Sequence, residues 1–445
     1  MTLRRLTESL RPLARYPSAV VGLLIIATLV ASAVVTVIAI PYGQALELWR
    51  GGDAWRMTPV NASPAWVDTL SGANQPRTLI ISSDAAEIDE SPFPGGKQLR
   101  MTLPFDFDYS GFPSEINLFL STHFEGRQPF ARMTLERPDG TSIVLGSRRL
   151  SGSERVSLSQ DWDLERRLGV VPHVGLFAET AQDAEPALLN GAYRLIVEVI
   201  GFDANVRVDA DLVLYGRVHG WAGTDHQRRD LTVALLWGIP VALAFGLLAA
   251  VGTTVTTLVI AAAGVWYGGW IDALIQRLTE VTIILPLLPI LVMVGTLYST
   301  SIWIMLGVVI TLGIFSAGIK MYRSMLLPIR QAPYIEAARA YGASNARIIL
   351  RYMIPRILPV LIPTFVVLIP SFVFLEASLA LLGLGDPVLP TWGKIMNDAQ
   401  AQSALYHGFY YWVLAPAALL MLTGLGFAML GFALDRVFNP RLRMH

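Results

Sequence analysis

The sequence predicts an α-helical membrane protein with six transmembrane helices and an inserted extracytoplasmic β-rich, sandwich-like domain. Three observations predict it. The 445 residues are 53% hydrophobic and only 15% charged, the balance of a membrane protein. Six apolar runs approach the roughly 20 residues that a helix needs to cross a bilayer. Between the first and second runs lies a long polar stretch, Gly43 to Asp230, with strand-like alternation. The organisation this implies is 1–42 for a cytoplasmic N-terminus and first helix, 43–222 for the insert, and 223–445 for a five-helix core.

The first run is Ser18–Ile40. Arg4, Arg5, Arg11 and Arg15 precede it, which keeps the N-terminus in the cytoplasm. A signal peptide has a shorter apolar region and a small-residue cleavage site. Ile40-Pro41-Tyr42 is a poor one, so the run reads as an uncleaved helix. Within the insert, Ile116–Leu120, Arg132–Glu136, Tyr193–Val199 and Val206–Leu214 alternate as strands. Pro138-Asp139-Gly140 marks a hairpin-type turn. Short strands with turn residues between them suggest a jelly-roll or immunoglobulin-type sandwich. Ser71–Gly96 reads as loop-rich. There is no cysteine, so the insert must be held by its own core, for which roughly 150 residues suffice.

Five more runs follow: Leu231–Val265, Val281–Leu297, Ile302–Met325, Leu358–Leu382 and Tyr411–Leu434. Charge sets their orientation. Gly43–Asp230 holds 26 acidic against 18 basic residues, and the rest of the chain 8 against 16. Arg277 and the C-terminal Arg436, Arg441 and Arg443 fall on the cytoplasmic side, whereas the short exterior loops hold only Lys394. Both termini are thus expected in the cytoplasm. The most basic loop is Lys320–Arg356, with seven Lys/Arg and one acid, Glu336.

Inside that loop, Pro333 suits a first helical turn. Glu336 lies near the positive end of the helix dipole and within reach of Arg339. Ala337, Ala338 and Ala340 favour helix with a low profile. Gly342 permits a bend or close backbone approach, and Ser344 is an N-cap for a second helix, Asn345–Tyr352. Arg347 and Arg351 share one face of it. The residues alone allow two readings: a knob presented to another subunit, or an amphipathic loop packed on its own membrane domain. Glu376, an acid within a span, is a functional candidate by default; it either positions a gate through a neighbouring helix or touches cargo. Asp272 and Glu280 read as interfacial. Pro286, Pro289, Pro363 and Pro370 interrupt the spans and either shape a path or set a fixed bundle. The small residues Ala242 to Gly252 suit close helix contact. No P-loop pattern occurs, the six histidines lack metal spacing, and the scattered basic residues give no nucleic-acid face.

Glu336-Ala337-Ala338, three residues, Gly342, then Pro355 thirteen residues on, resembles the coupling loop of binding-protein-dependent ABC importer permeases. Four further stretches resemble the dipeptide/oligopeptide/nickel-type subfamily. They are Arg15–Gly22, Gly223–Asp230, Tyr267–Asp272 with Arg277, and Glu376–Leu379 through Gly385, Pro387 and Trp392-Gly393. Asn439-Pro440-Arg441 is similar to the closing motif. The resemblance covers about 1–42 and 220–443. It implies a permease subunit of an ATP-driven importer for peptides or similar small solutes, multi-pass in a prokaryotic inner membrane. Such a subunit is not itself an enzyme and binds no cofactor, ATP being used by its partners. Those partners are two ATPase subunits, a second permease subunit and an extracytoplasmic solute-binding protein. The resemblance assigns ATPase coupling to Glu336, Ala337, Ala338, Arg339, Gly342, Arg347 and Pro355, and leaves Glu376, Pro286 and Pro370 as pathway or gate candidates. Two departures stand out: Arg228 occupies a glycine position of the pattern, and the insert is far longer than usual. The alternative is a membrane-anchored extracytoplasmic recognition or adhesion protein.

Overall fold

A computed structural model describes residues 16–179, 186–203 and 205–438. The basic residues before Tyr16 and the motif Asn439-Pro440-Arg441 with Arg443 lie outside them. The chain divides into two compact units. One reaches to Arg50 and resumes at Val233; the other is Gly51–Thr232.

The first unit opens with α1, Pro17–Ala39, which has Pro17 in its first turn. A short helix α2, Tyr42–Arg50, follows and buries Ala45 and Trp49.

Among its described residues the second unit is a sandwich of nine strands: β1 (Leu79–Ser82), β2 (Glu87–Phe93), β3 (Gly96–Phe107), β4 (Glu115–His123), β5 (Phe130–Glu136), β6 (Ser142–Arg149), β7 (Ser153–Ser157), β8 (Gly191–Gly201) and β9 (Arg207–Tyr215). One sheet has the order β1-β9-β4-β7 and the other β2-β3-β8-β5-β6. Without the edge strand β2 this is the eight-strand order of a jelly roll. Alternating residues of both sheets meet in one core, including Leu103 and Phe105 of β3, Leu118 of β4, Met133 of β5, Val197 of β8 and Leu212 of β9. Alternation puts every second side chain inward, which is why these strands were legible. Ser71–Gly96 differs from expectation, since it holds β1 and β2. All of β2 is exposed, so burial never imposed an alternating pattern. Its Glu87, Asp89, Glu90 and Pro92 suit an unpaired edge.

Gly223–Asp230 forms a closed loop before the next helix. Asp225 is buried and accepts from Gln227 N at 2.8 Å, Arg229 N at 2.9 Å and Arg229 Nε at 2.5 Å. Leu231 N closes the loop onto Gly223 O at 3.0 Å. Arg228 has φ +66°, a left-handed conformation that explains glycine in the family pattern. The insert holds the arginine there. Its guanidinium pairs with Glu115 of β4, donates to Thr58 O at 2.8 Å, and lies 4.4 Å from the Tyr215 ring centre.

The membrane unit continues with α3 (Leu231–Tyr267), α4 (Gly269–Ile284), α5 (Leu287–Leu297), α6 (Ile302–Ile314), α7 (Gly318–Arg330), α8 (Pro333–Ala340), α9 (Asn345–Ile348), α10 (Ile354–Leu379), α11 (Trp392–Ala401) and α12 (Tyr411–Phe438). Among the described residues, four helical stretches are long and apolar enough to span: α1, α3, Asn345–Leu384 and α12. The pairs α4/α5 and α6/α7 are bent by 77° and 45°; counting each as one span gives six. Glycines let backbones meet: a Cβ on Gly22 of α1 would lie 2.7 Å from Gly426 O of α12, and one on Gly246 of α3 would lie 2.9 Å from Ile369 O of α10. Such contact is the packing force available within lipid.

The prolines do not act alike. Pro286 stands at the α4/α5 break. Pro289 falls in the first turn of α5, where its missing N–H costs nothing. Pro363 and Pro370 do not interrupt α10, which runs through both. After α10 the chain turns at Gly383, φ +84°, and returns as α11. Trp392 is buried over Gly238 and donates Nε1–H to Leu235 O at 2.9 Å, while Gly393 sits against Ala377 and Ala380.

Acid should loosen the insert. Burial acts to raise the Glu115 pKa, but Arg228, Asn117 and Arg155 bring it below the ordinary carboxylate value. Burial lowers the pKa of His173 and His219, more than Glu115 and Asp230 respectively raise them. Groups with lowered folded pKa values stabilise above their unfolded values and lose that contribution as pH falls. Proteolytic resistance of the insert in the full chain should therefore drop in two stages. The first comes below about 6.5, as the histidines charge, and the second below about 4, as Glu115 protonates. Glu115→Gln should weaken the insert at neutral pH and reduce the second stage, leaving the smaller share of the exposed Asp139, whose carboxyl is also held below its ordinary value. An unchanged acid profile in that variant would contradict the assignment.

Candidate functional site

The loop between α7 and α10 is a capped, largely exposed element of the membrane unit. Pro333 starts α8, with Glu336 in its first turn and Arg339 in its last. Gly342 has φ +75° and donates to Arg339 O at 2.9 Å, and Ala343 N donates to Ala338 O at 3.0 Å. This pair of bonds is a Schellman cap, which requires a left-handed residue where Gly342 stands. Ser344 then caps α9, its hydroxyl accepting from Arg347 N at 3.4 Å. The second helix is shorter than expected: α9 ends at Ile348, and a π turn over Ile349–Met353 joins it to α10. Pro355 lies exposed in the first turn of α10.

The two helices divide cleanly into faces. Ile335, Ala338, Ile348, Ile349 and Met353 are buried in one cluster with Val265 and Trp266 of α3, Ile275 of α4, and Ile319 and Tyr322 of α7. Glu336, Ala337, Arg339, Gly342 and Arg347 are exposed, and Tyr341 at the tip is 92% exposed. Ala338, expected with the coupling group, is buried in that cluster. Arg339 does not pair with Glu336. Its guanidinium lies 4.3 Å from the Trp266 ring centre, and stacking on a large ring outweighs an exposed i,i+3 ion pair.

The loop is tied to the bundle by a contact absent from the sequence reading. Arg323 of α7 grips Asp272 of α4 in a fork, Nε to Oδ1 at 2.9 Å and Nη2 to Oδ2 at 2.7 Å. Such bidentate pairs fix geometry as well as charge. Asp272 and Arg323 are 51 residues apart, and no periodicity links them. Glu280 meets Arg277 at 3.3 Å and Lys320 at 4.0 Å.

A cavity of about 660 Å³ opens between α3, the two bent pairs and α10. Leu285 and Leu287 line it from the first break, and Ser316 and Ala317 from the second. Thr253, Thr254, Thr257, Thr282, Thr364 and Tyr322 add hydroxyls, and no charged side chain lines it. Thr257 Oγ1 donates to Ile314 O at 3.0 Å, satisfying a carbonyl freed where α6 ends.

The three pathway candidates are not brought together. Pro286 stands between the cavity-lining Leu285 and Leu287. Pro370 lines a separate open groove with Gly424 of α12. Glu376 is buried, 6% exposed, with Thr391 as its hydrogen-bond partner. Nearby Asp386 accepts from Ile302 N at 3.4 Å, at the start of α6.

Residues 255–444 match the family model for the binding-protein-dependent transport system inner membrane component. The glutathione transport system permease protein GsiD of Escherichia coli O157:H7 is 32% identical over 252 residues, 54% of this chain and 79% of that protein. GsiD of Pectobacterium atrosepticum is 30% identical over 227 residues, 50% of this chain and 73% of that protein. The dipeptide transport system permease protein DppC of Alkalihalophilus pseudofirmus is 28% identical over 228 residues, 50% and 72% respectively. The chain belongs to this permease family. It is a multi-pass inner-membrane permease component of an ABC-type importer and carries no catalytic role. The reading as a recognition or adhesion protein gives way to this membership.

Asp272→Asn in this permease should cost roughly 1–2 kcal/mol, because it leaves the Arg323 guanidinium half-satisfied. Thermal unfolding of the purified full chain measures it. A loss no larger than that of Arg277→Gln, at an exposed pair, would show that the fork does not hold α4 to α7.

Proposed function

We propose that this permease couples to ATPase subunits through α8, Gly342 and α9, and passes peptide-class solutes along a path to which its neutral cavity contributes. The complex proposed has two ATPases, a second permease subunit and an extracytoplasmic solute-binding protein. Both termini and the loop face the cytoplasm, consistent with the concentration of Lys and Arg there.

The observation that carries the reading is the division of the loop into two faces. A loop helix serving only its own bundle would bury its larger side chains, yet here Tyr341 is 92% exposed at the tip of a capped turn. The anchoring face reaches Tyr322, which also lines the cavity. The loop's buried side chains thus share one cluster with a side chain of the proposed path. The uncharged, hydroxyl-bearing lining suits solutes that carry peptide groups, which need hydrogen-bond partners. Glutathione and dipeptide are the cargoes in the relatives' names, and they favour the same class here. Glu376, sealed from water, positions the turn between α10 and α11 in this reading. The insert assists the docking of the binding protein or steadies the partner permease.

Glu336→Lys places a positive charge at a helix N-terminus, and Gly342→Val forces a β-branched residue to φ +75°. Both variants should insert normally yet lose uptake, and the ATPases should no longer co-purify with them. Normal uptake and co-purification in both would remove the coupling assignment.

A further inference from the structure

We infer that the foot of the insert is a membrane-interface anchor, in which Trp66, Leu70 and Trp221 insert into the headgroup region of the bilayer on the insert's side. The helix Ala65–Ser71 places Trp66 and Leu70 four residues apart on one face. They are 52% and 79% exposed, and Trp221 is 82% exposed. The three form one patch. Trp66 Nε1–H donates to Trp221 O at 3.0 Å, and Ala65 N donates to Gly220 O at 3.0 Å.

Position identifies the occupant. Within the insert unit, a Cβ on Gly220 would lie 3.1 Å from Asp230 Oδ2, and one on Gly51 would lie 3.9 Å from the Arg229 side chain. Gly51 is where the chain enters the insert, and Asp230 immediately precedes α3. The patch thus adjoins the point where both strands of chain pass to membrane helices. A surface there meets the headgroup layer before any soluble partner. Tryptophan is enriched in that layer because its ring is apolar and its N–H polar. An exposed cluster of indole and leucine on a domain with a well-filled core otherwise has no reason to persist. Of the acids beside the patch, Asp68 accepts from Gln75 N at 2.8 Å and Asp230 from Thr232 N at 2.8 Å.

The chain contains no cysteine, so single cysteines can be labelled without background. Full-length chains carrying Trp66→Cys, Leu70→Cys or Trp221→Cys would bear an environment-sensitive fluorophore and be placed in nanodiscs containing headgroup-spin-labelled lipid. Phe202→Cys is the control. Phe202 is 44% exposed and lies beyond the opposite end of β9, roughly 27 Å from the foot. The three foot probes should lose fluorescence to the spin-labelled lipid while the Phe202 probe does not. Leu70→Cys leaves both tryptophans in place, so its quenching is independent of their replacement. Foot probes that behave like Phe202 would overturn the inference. So would probes shielded from both spin-labelled lipid and aqueous iodide, since a protein partner would then cover the patch.

Discussion

Within lipid, every backbone group released from a helix must find a partner in the protein or in a wet cavity. Two spans of this chain are broken, at Leu285-Pro286 and around Phe315–Ala317, and much of the membrane unit can be read as the answer to that constraint. Thr257 of α3 supplies a hydroxyl to the carbonyl of Ile314. Ser316 N turns back to Gly313 O at 3.2 Å, and Leu285 N to Thr282 O at 3.1 Å. Both breaks line the same cavity. A hydroxyl-lined space between helices and a pair of bent spans are thus one feature, each making the other tolerable.

The breaks also decide where the loop can sit. Bending at Phe315–Ala317 directs α7 away from the line of α6, and the Asp272–Arg323 fork holds α7 to the first turn of α4. The Schellman cap and the Ser344 cap then fix the angle between α8 and α9. Side chains of α3, α4, α7 and α10 converge with those of α8 and α9 on that junction. A displacement at Tyr341 is borne by a short, capped, well-packed element rather than by a slack connection. The insert has a parallel arrangement, in which Arg228 keeps its left-handed backbone because Glu115, Thr58 and Tyr215 grip its side chain. A residue of the membrane-proximal motif and the added domain have become one piece.

What could be read from sequence followed periodicity. The apolar runs gave the spans, and the inward-facing residues of β4, β5, β8 and β9 gave the sandwich, because burial writes its period into the chain. The loop was legible through proline, glycine and serine, whose backbone preferences are local. Three kinds of feature were not legible. Strand β2 is exposed on both faces and carries no alternation. The helices α2 and α11 are short, and α11 owes its place to Trp392 and to small residues of α3 and α10 far away in sequence. Pairings such as Asp272–Arg323 and Arg339–Trp266 depend on which helices become neighbours, and only the fold supplies that. Proline was a misleading signal in α10, which runs unbroken through the buried Pro363 and Pro370.

The central claim is that the exposed face of α8 and α9 meets an ATPase subunit. A single cysteine at Tyr341, in this otherwise cysteine-free chain, tests it most directly, with Tyr406 as the control. Tyr406 is 94% exposed and lies past the far end of α10, roughly 39 Å of helix away. In the assembled importer, a short bifunctional reagent should join position 341 to the ATPase and leave position 406 unjoined. Equal labelling of position 341 with and without the ATPases, and no cross-link to them, would contradict the account.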